Sequence, residues 1–253
     1  MRRFLERRLR GARGAILSKY SSEELQRALV EAFGERRLGE CQTRVVVPAF
    51  DRQRREIHVF KTPHHERFRI DWRERAVDVA LATAAAPTYL PGHRLENGVS
   101  LLDGGIWANN PVGLAVVEAV AVLGWKQSEL RVLSLGCTEA PFKVKENAGR
   151  LPLLFRMADI FLVGQSRGAV GTAKLLLGQE NLDSRFFRFQ HNAADGEFGL
   201  DVVDQIPTLR GIGAGMAREA LPHLVKEILS TPREAFFPYY GPVEALGAGH
   251  AET

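Results

Sequence analysis

Apolar positions in this chain switch between a helical period and strand-like alternation, and the switches mark its elements. Leu25, Ala28, Leu29, Ala32 and Phe33 recur at helical spacing behind Ser21-Ser22-Glu23-Glu24, and Gly34 follows them. Hydroxyls at a cap, acids in the first turn and a glycine past the last turn are start and stop signals, so a helix is predicted here. Val45 to Phe50 is rich in β-branched residues, and Ile57 to Thr62 alternates beyond Asp51-Arg52-Gln53. These read as paired strands. Ala76 to Ala86 reads as a small-residue helix ended by Pro87, because proline disfavours helical geometry in the residue before it.

A short apolar run, Val99 to Leu102, closes on Asp103-Gly104-Gly105 and opens Ile106-Trp107-Ala108-Asn109-Asn110-Pro111. This is a strand–turn–helix pattern, with Pro111 suited to a first helical position. A buried helix is then expected from Val112 to Leu123, and a strand from Leu130 to Leu135 with Gly136 after it. A helix follows from Leu151 to Leu177, interrupted by Gly164, Gly168 and Gly171. Phe186 to Phe189 reads as a short strand and Leu209 to Leu229 as a last helix. No repeat or mid-chain linker is visible, so residues 1–230 are expected to form one α/β layered domain. The tail 231–253, with Pro232, Pro238 and Pro242, is expected to be flexible.

Asp103 is the leading chemical candidate. The pattern puts its carboxylate at the C-terminal end of a strand, where open α/β sheets keep their sites. A base there can take the proton of an attacking hydroxyl. Asp-Gly is also a common hairpin turn that requires no chemistry. Gly104 and Gly105 would let the backbone turn without a Cβ clash. For Asn109 and Asn110 a cap role is favoured over catalysis.

Two stretches, Ala82-Thr83-Ala84-Ala85-Ala86-Pro87-Thr88-Tyr89-Leu90-Pro91 and Leu102-Asp103-Gly104-Gly105-Ile106-Trp107-Ala108-Asn109-Asn110-Pro111, together resemble the catalytic-aspartate region of patatin-like phospholipases. Val45 to Pro48 with Lys61-Thr62, and Ser134-Leu135-Gly136, extend the likeness over about Tyr20 to Leu229. The resemblance implies a three-layer α/β/α fold, incomplete here at its N-terminus, and a serine acyl hydrolase with a Ser–Asp dyad. Asp103 would be the dyad base within the motif that Gly104 and Gly105 complete. The substrate would be a lipid or another acyl ester, and no cofactor is implied.

The family's serine sits in Gly-x-Ser-x-Gly on a strand-to-helix elbow ahead of the aspartate, with a glycine-rich oxyanion loop nearer the N-terminus. No Gly-x-Ser-x-Gly precedes Asp103 in this sequence, and Gly11-Ala12-Arg13-Gly14 lacks the apolar strand that an oxyanion loop follows. The expectation is a base half that is inactive alone. It is either a truncated product whose serine half is encoded upstream or a non-catalytic remnant that binds lipid or a partner. Truncation is favoured, because Ala80 to Ala86 and Val112 to Leu123 stay apolar where a remnant would need polar replacements.

Gly164-Gln165-Ser166-Arg167-Gly168 matches the elbow pattern literally. Leu154, Met157, Ala158 and Phe161 before it, and Ala169, Ala173, Leu176 and Leu177 after it, keep helical spacing. Ser166 is therefore read as a helix serine and not as a nucleophile. His64 and His65 point to opposite faces of an extended segment and no ligand spacing accompanies them, so no metal site is expected. His93, His191, His223 and His250 have no motif that sets them beside Asp103, and dinucleotide and P-loop patterns are absent.

Composition adds limits. The 253 residues, 45% hydrophobic and 25% charged, suit one large globular α/β domain. Two cysteines, Cys41 and Cys137, form no disulfide framework, and a reducing, cytoplasmic setting is expected. The net charge is +4, with Arg2, Arg3, Arg7, Arg8, Arg10 and Arg13 opposed early only by Glu6. A solvated helix face is the favoured reading. Contact of residues 2–17 with an anionic membrane surface is a second, since Phe4, Leu5, Leu9, Ile16 and Leu17 interleave with the arginines. Nucleic acid is a third, and no binding signature supports it. No signal peptide and no run of about 18 apolar residues is present. Oligomeric state, acyl chain and headgroup are not legible.

Overall fold

The computed structural model describes residues 18–139, 150–178, 180–194, 196–230, 232 and 235–241, with side chains of the long central helix described from residue 157. The chain divides into two compact units, residues 1–109 with 235–253, and residues 110–234.

In the first unit, α1 spans Glu23–Phe33. The Ser21 hydroxyl accepts the Glu23 N–H at 3.2 Å. Gly34 ends the helix at φ 58°, and its N–H donates to the Val30 carbonyl. Strands β1 (Val46–Asp51) and β2 (Glu56–Lys61) pair antiparallel, with Val46 opposite Lys61 and Asp51 opposite Glu56. The Asp51 carboxylate closes their turn by accepting the N–H groups of Gln53 and Arg54. Helix α2 runs Ala76–Thr83, and ends before the Ala84-Ala85-Ala86 stretch that the sequence had assigned to it. Strands β3 (His93–Arg94) and β4 (Ser100–Asp103) complete a sheet of order β2-β1-β4-β3.

Every pairing in that sheet is antiparallel. The rule that places sites at the ends of parallel strands therefore does not account for Asp103. Leu38, Ala49, Phe60, Val79, Ala82, Leu95 and Leu101 form the core between the sheet and α2. Residues 235–241, expected to fray, are seated on this unit: the Tyr239 N–H donates to the Pro63 carbonyl at 2.7 Å. The Tyr240 hydroxyl donates to the Glu66 carbonyl at 2.9 Å. Residues 242–253 lie outside the described residues.

Helix α3 (Gly105–Ala108) follows β4 directly. The second unit opens with α4 (Val112–Val117), which loosens into a π turn over Glu118–Val122. Strands β5 (Val132–Glu139) and β6 (Phe186–Asn192) form a parallel pair. β5 does not stop at Gly136. It continues past it, with a register shift between Leu135 and Thr138. Helix α5 (Arg150–Leu177) is unbroken, and its glycines do not interrupt it. Helix α6 (Ile206–Leu224) passes into a π turn over Val225–Leu229. Val112, Val116, Leu130, Ala173, Leu177 and Phe186 form this unit's core. Gly113 lets α4 approach α5 closely, since a Cβ there would lie 3.2 Å from the Ala169 carbonyl oxygen. Buried Arg185 donates to the carbonyls of Gln127, Leu177 and Glu180, so its charge is hydrogen-bonded rather than stranded. The mixed α/β class read from the sequence is the class observed.

Candidate functional site

Asp103 is the last residue of β4 and stands opposite Ala49 of β1. Its own N–H donates to the Ala85 carbonyl at 3.0 Å, which ties the strand end to the segment just past α2. Oδ1 of the carboxylate accepts the Gly105 N–H at 2.6 Å. Among the described residues no hydrogen bond engages Oδ2. Burial pushes the Asp103 carboxyl above its ordinary range, and the Gly105 N–H opposes that rise.

The two glycines act differently. Gly104 has helical dihedrals, φ −63° and ψ −20°, so no left-handed geometry requires glycine. Close approach does: a Cβ would lie 2.2 Å from the Pro48 carbonyl oxygen and 2.8 Å from the Pro48 Cβ. At Gly105 a Cβ would lie 3.1 Å from Asp103 Oδ1, the oxygen that its N–H already holds.

Two further side chains hold the same strand end, and the sequence reading passed over both. The Thr83 hydroxyl donates to the Pro48 carbonyl at 2.7 Å. The Trp107 indole N–H donates to the Ala49 carbonyl at 2.8 Å. Adjacent carbonyls of β1 thus tie down α2 on one side and α3 on the other. Both residues lie inside the two stretches that carry the family likeness, which was the available signal.

Asn110 precedes Pro111, the residue that flanks α4. Its Oδ1 accepts the Val112 N–H at 3.2 Å, at the start of α4. Its Nδ2 donates to Ser166 Oγ, also at 3.2 Å. Ser166 stands well inside the 28-residue α5, with no strand and no elbow beside it. His64 Nδ1 lies 2.8 Å from the Thr62 hydroxyl, and its ring meets Phe68 edge-on. The His65 ring packs beside Phe68 and Tyr239. His93 Nε2 lies 2.9 Å from Asp78 Oδ1, so this histidine is engaged by a different carboxylate. Residues 2–17, the basic start, lie outside the described residues.

A family model described as patatin-like phospholipase matches residues 2–116, which include both quoted stretches and Asp103. A cGAMP-activated phospholipase of Pseudomonas aeruginosa is 42% identical over 135 residues, covering 53% of this chain and 40% of the relative. Over that stretch the chain is similar to the patatin-like phospholipases. A cGAMP-activated phospholipase of Vibrio cholerae is 33% identical over 137 residues, covering 51% of the chain and 38% of the relative. Patatin-like protein 1 of rice is 25% identical over 237 residues, covering 78% of the chain and 56% of the relative. The chain spans about two fifths of the length of the two bacterial relatives. Among its described residues no helix is long and apolar enough to cross a membrane.

Proposed function

We propose that this chain supplies the aspartate half of a lipid acyl hydrolase. Asp103 is the base of a Ser–Asp dyad. It takes the proton of a serine hydroxyl as the serine oxygen attacks an ester carbonyl, giving an acyl-enzyme that water then releases. Gly104 and Gly105 hold the carboxylate in place.

The observation that carries this reading is the carboxylate itself. It sits on a strand end pinned to the segment past α2, with Oδ1 oriented by the Gly105 N–H and Oδ2 not engaged by the described residues. Partial burial raises its proton affinity, as suits a base that must gain a proton. The match to the patatin-like phospholipase family model and the phospholipase relatives support a lipid ester as the substrate. We place the protein in the cytoplasm.

The serine is the other half. No Gly-x-Ser-x-Gly precedes Asp103 in these 253 residues, and Ser166 is a helix residue bonded to Asn110. The chain alone should therefore not turn over esters, and a segment carrying a serine elbow should restore activity. The test is hydrolysis of short p-nitrophenyl esters by the chain alone and by the chain joined to the serine-elbow segment of a patatin-like relative. The reading expects turnover only from the joined protein. Turnover by the chain alone that Ser166→Ala abolishes would overturn it. Inactivity of a folded joined protein would favour a lipid- or partner-binding remnant. An arm with added cGAMP asks whether the activation named for the bacterial relatives extends here.

A further inference from the structure

The first unit carries a surface that the proposed reaction does not use. It is built from the 61–73 segment and the strap 235–241. The strap is seated by the Tyr239 and Tyr240 hydrogen bonds to Pro63 and Glu66. The Glu66 carbonyl also accepts the Arg69 Nε–H at 3.1 Å, and the Arg69 guanidinium lies 5.9 Å from the centre of the Tyr240 ring. An Arg73 N–H donates back to the Arg69 carbonyl at 3.2 Å. Despite this anchoring, large apolar side chains project into solvent: Ile70 is 71% exposed, Phe237 59% and Tyr239 57%. Ile70 follows Arg69, whose guanidinium lies beside the Tyr240 ring, and Phe237 and Tyr239 precede Tyr240 in the strap.

Basic groups outnumber acidic ones at this surface. Arg67, Arg69 and Arg73 are exposed. Of the segment's acids, Glu66 is exposed beside them, while Asp71 and Glu74 are partly buried. Asp71 turns inward and accepts the Lys61 N–H at 3.0 Å, and burial raises the proton affinity of both Asp71 and Glu74. Exposed aliphatic and aromatic groups among arginines have the composition of an interfacial belt. The apolar tips enter the headgroup boundary while the guanidinium groups meet lipid phosphates.

We propose that this surface, with Ile70, Phe237 and Tyr239 as inserted tips and Arg67, Arg69 and Arg73 as headgroup contacts, docks the protein on an anionic lipid bilayer. Lipid is favoured over nucleic acid because Ile70 offers neither a stacking face nor a hydrogen bond. The choice of partner rests on the lipid-hydrolase reading. Binding needs no turnover, so failure of that reading appears in the ester assay and failure of this one in the vesicle pellet.

The experiment is co-sedimentation of the full chain with phosphatidylcholine vesicles and with phosphatidylcholine–phosphatidylglycerol vesicles at about 0.15 M salt. Stronger binding to the anionic vesicles is expected. Ile70→Asp should lower that partition about tenfold and Arg67→Glu about fivefold, with thermal midpoints unchanged. Ile70→Trp should raise it, which guards against loss of binding through misfolding. A Leu5→Glu arm separates any contribution from residues 2–17. If Ile70→Asp and Arg67→Glu both leave the partition unaltered, the surface is not the docking site, whatever Leu5→Glu does. Preferential retention of a labelled oligonucleotide over vesicles would overturn the proposal in favour of nucleic acid.

Discussion

Gly104→Ala would drive a methyl carbon to 2.2 Å from the Pro48 carbonyl oxygen and 2.5 Å from its carbonyl carbon. Ordinary carbon contacts sit at about 3.5 Å, so β1 and the turn must part by about 1 Å. Both contacts are rigid backbone, and no side-chain rotation relieves them. Forcing an extra methyl into such a site costs about 1–3 kcal/mol. The displaced Pro48 carbonyl also accepts the Thr83 hydroxyl, and weakening that bond adds about 1 kcal/mol. β1 and β4 share only three residue pairs, with Ala49–Asp103 next to the clash, so little ladder remains to absorb the shift. The expected loss is about 3 kcal/mol, or a fall in Tm of about 10 °C. Chemical denaturation followed by circular dichroism measures it. Gly105→Ala is the control, since its Cβ would meet a carboxylate oxygen at 3.1 Å, and a side chain can give way. A Gly104→Ala loss below about 1 kcal/mol, or one no larger than the control's, would refute the view that Gly104 pins the aspartate turn against β1.

Asp103 should also shape stability against pH. Burial raises its folded-state proton affinity above that of the unfolded chain, so its contribution is favourable below the unfolded value near pH 4 and is lost as pH rises through the folded value. Asp103→Asn should therefore melt higher than the parent near pH 7, and the advantage should vanish towards pH 3.5. Melts at both pH values check this, and an advantage that grows in acid would contradict it. Gly164→Ala lies in open space on α5 and should stabilise the second unit by up to about 1 kcal/mol, read as a shift in denaturation midpoint.

What the sequence made legible was local. The cap and stop around α1, the β1–β2 pair, the strand–turn–helix at Asp103 and the helical setting of Ser166 each follow from spacing within a dozen residues. What it hid was long-range. Thr83 reaches Pro48 and Trp107 reaches Ala49 across 35 and 58 residues, and neither contact leaves a trace in periodicity. Antiparallel pairing of β4 with β1 was obscured by the helix between them, which reads like a crossover to a parallel strand. The seating of residues 235–241 was hidden for a related reason. Prolines there predicted an unstructured tail, but the Tyr239 N–H and the Tyr240 hydroxyl bind the strap to the first unit. At Gly104 the sequence suggested freedom to turn, whereas its dihedrals are helical and the close approach of Pro48 is what leaves no room for a Cβ.

The central claim is that Asp103 is the base for a serine. Its most direct test is the ester turnover of the chain joined to a serine-elbow segment, compared with the same protein carrying Asp103→Asn. Asparagine keeps the shape and the acceptor for the Gly105 N–H but removes the base. The account predicts a fall in kcat of about 10²–10⁴-fold with folding intact. Turnover that survives Asp103→Asn undiminished would show that Asp103 only shapes the turn.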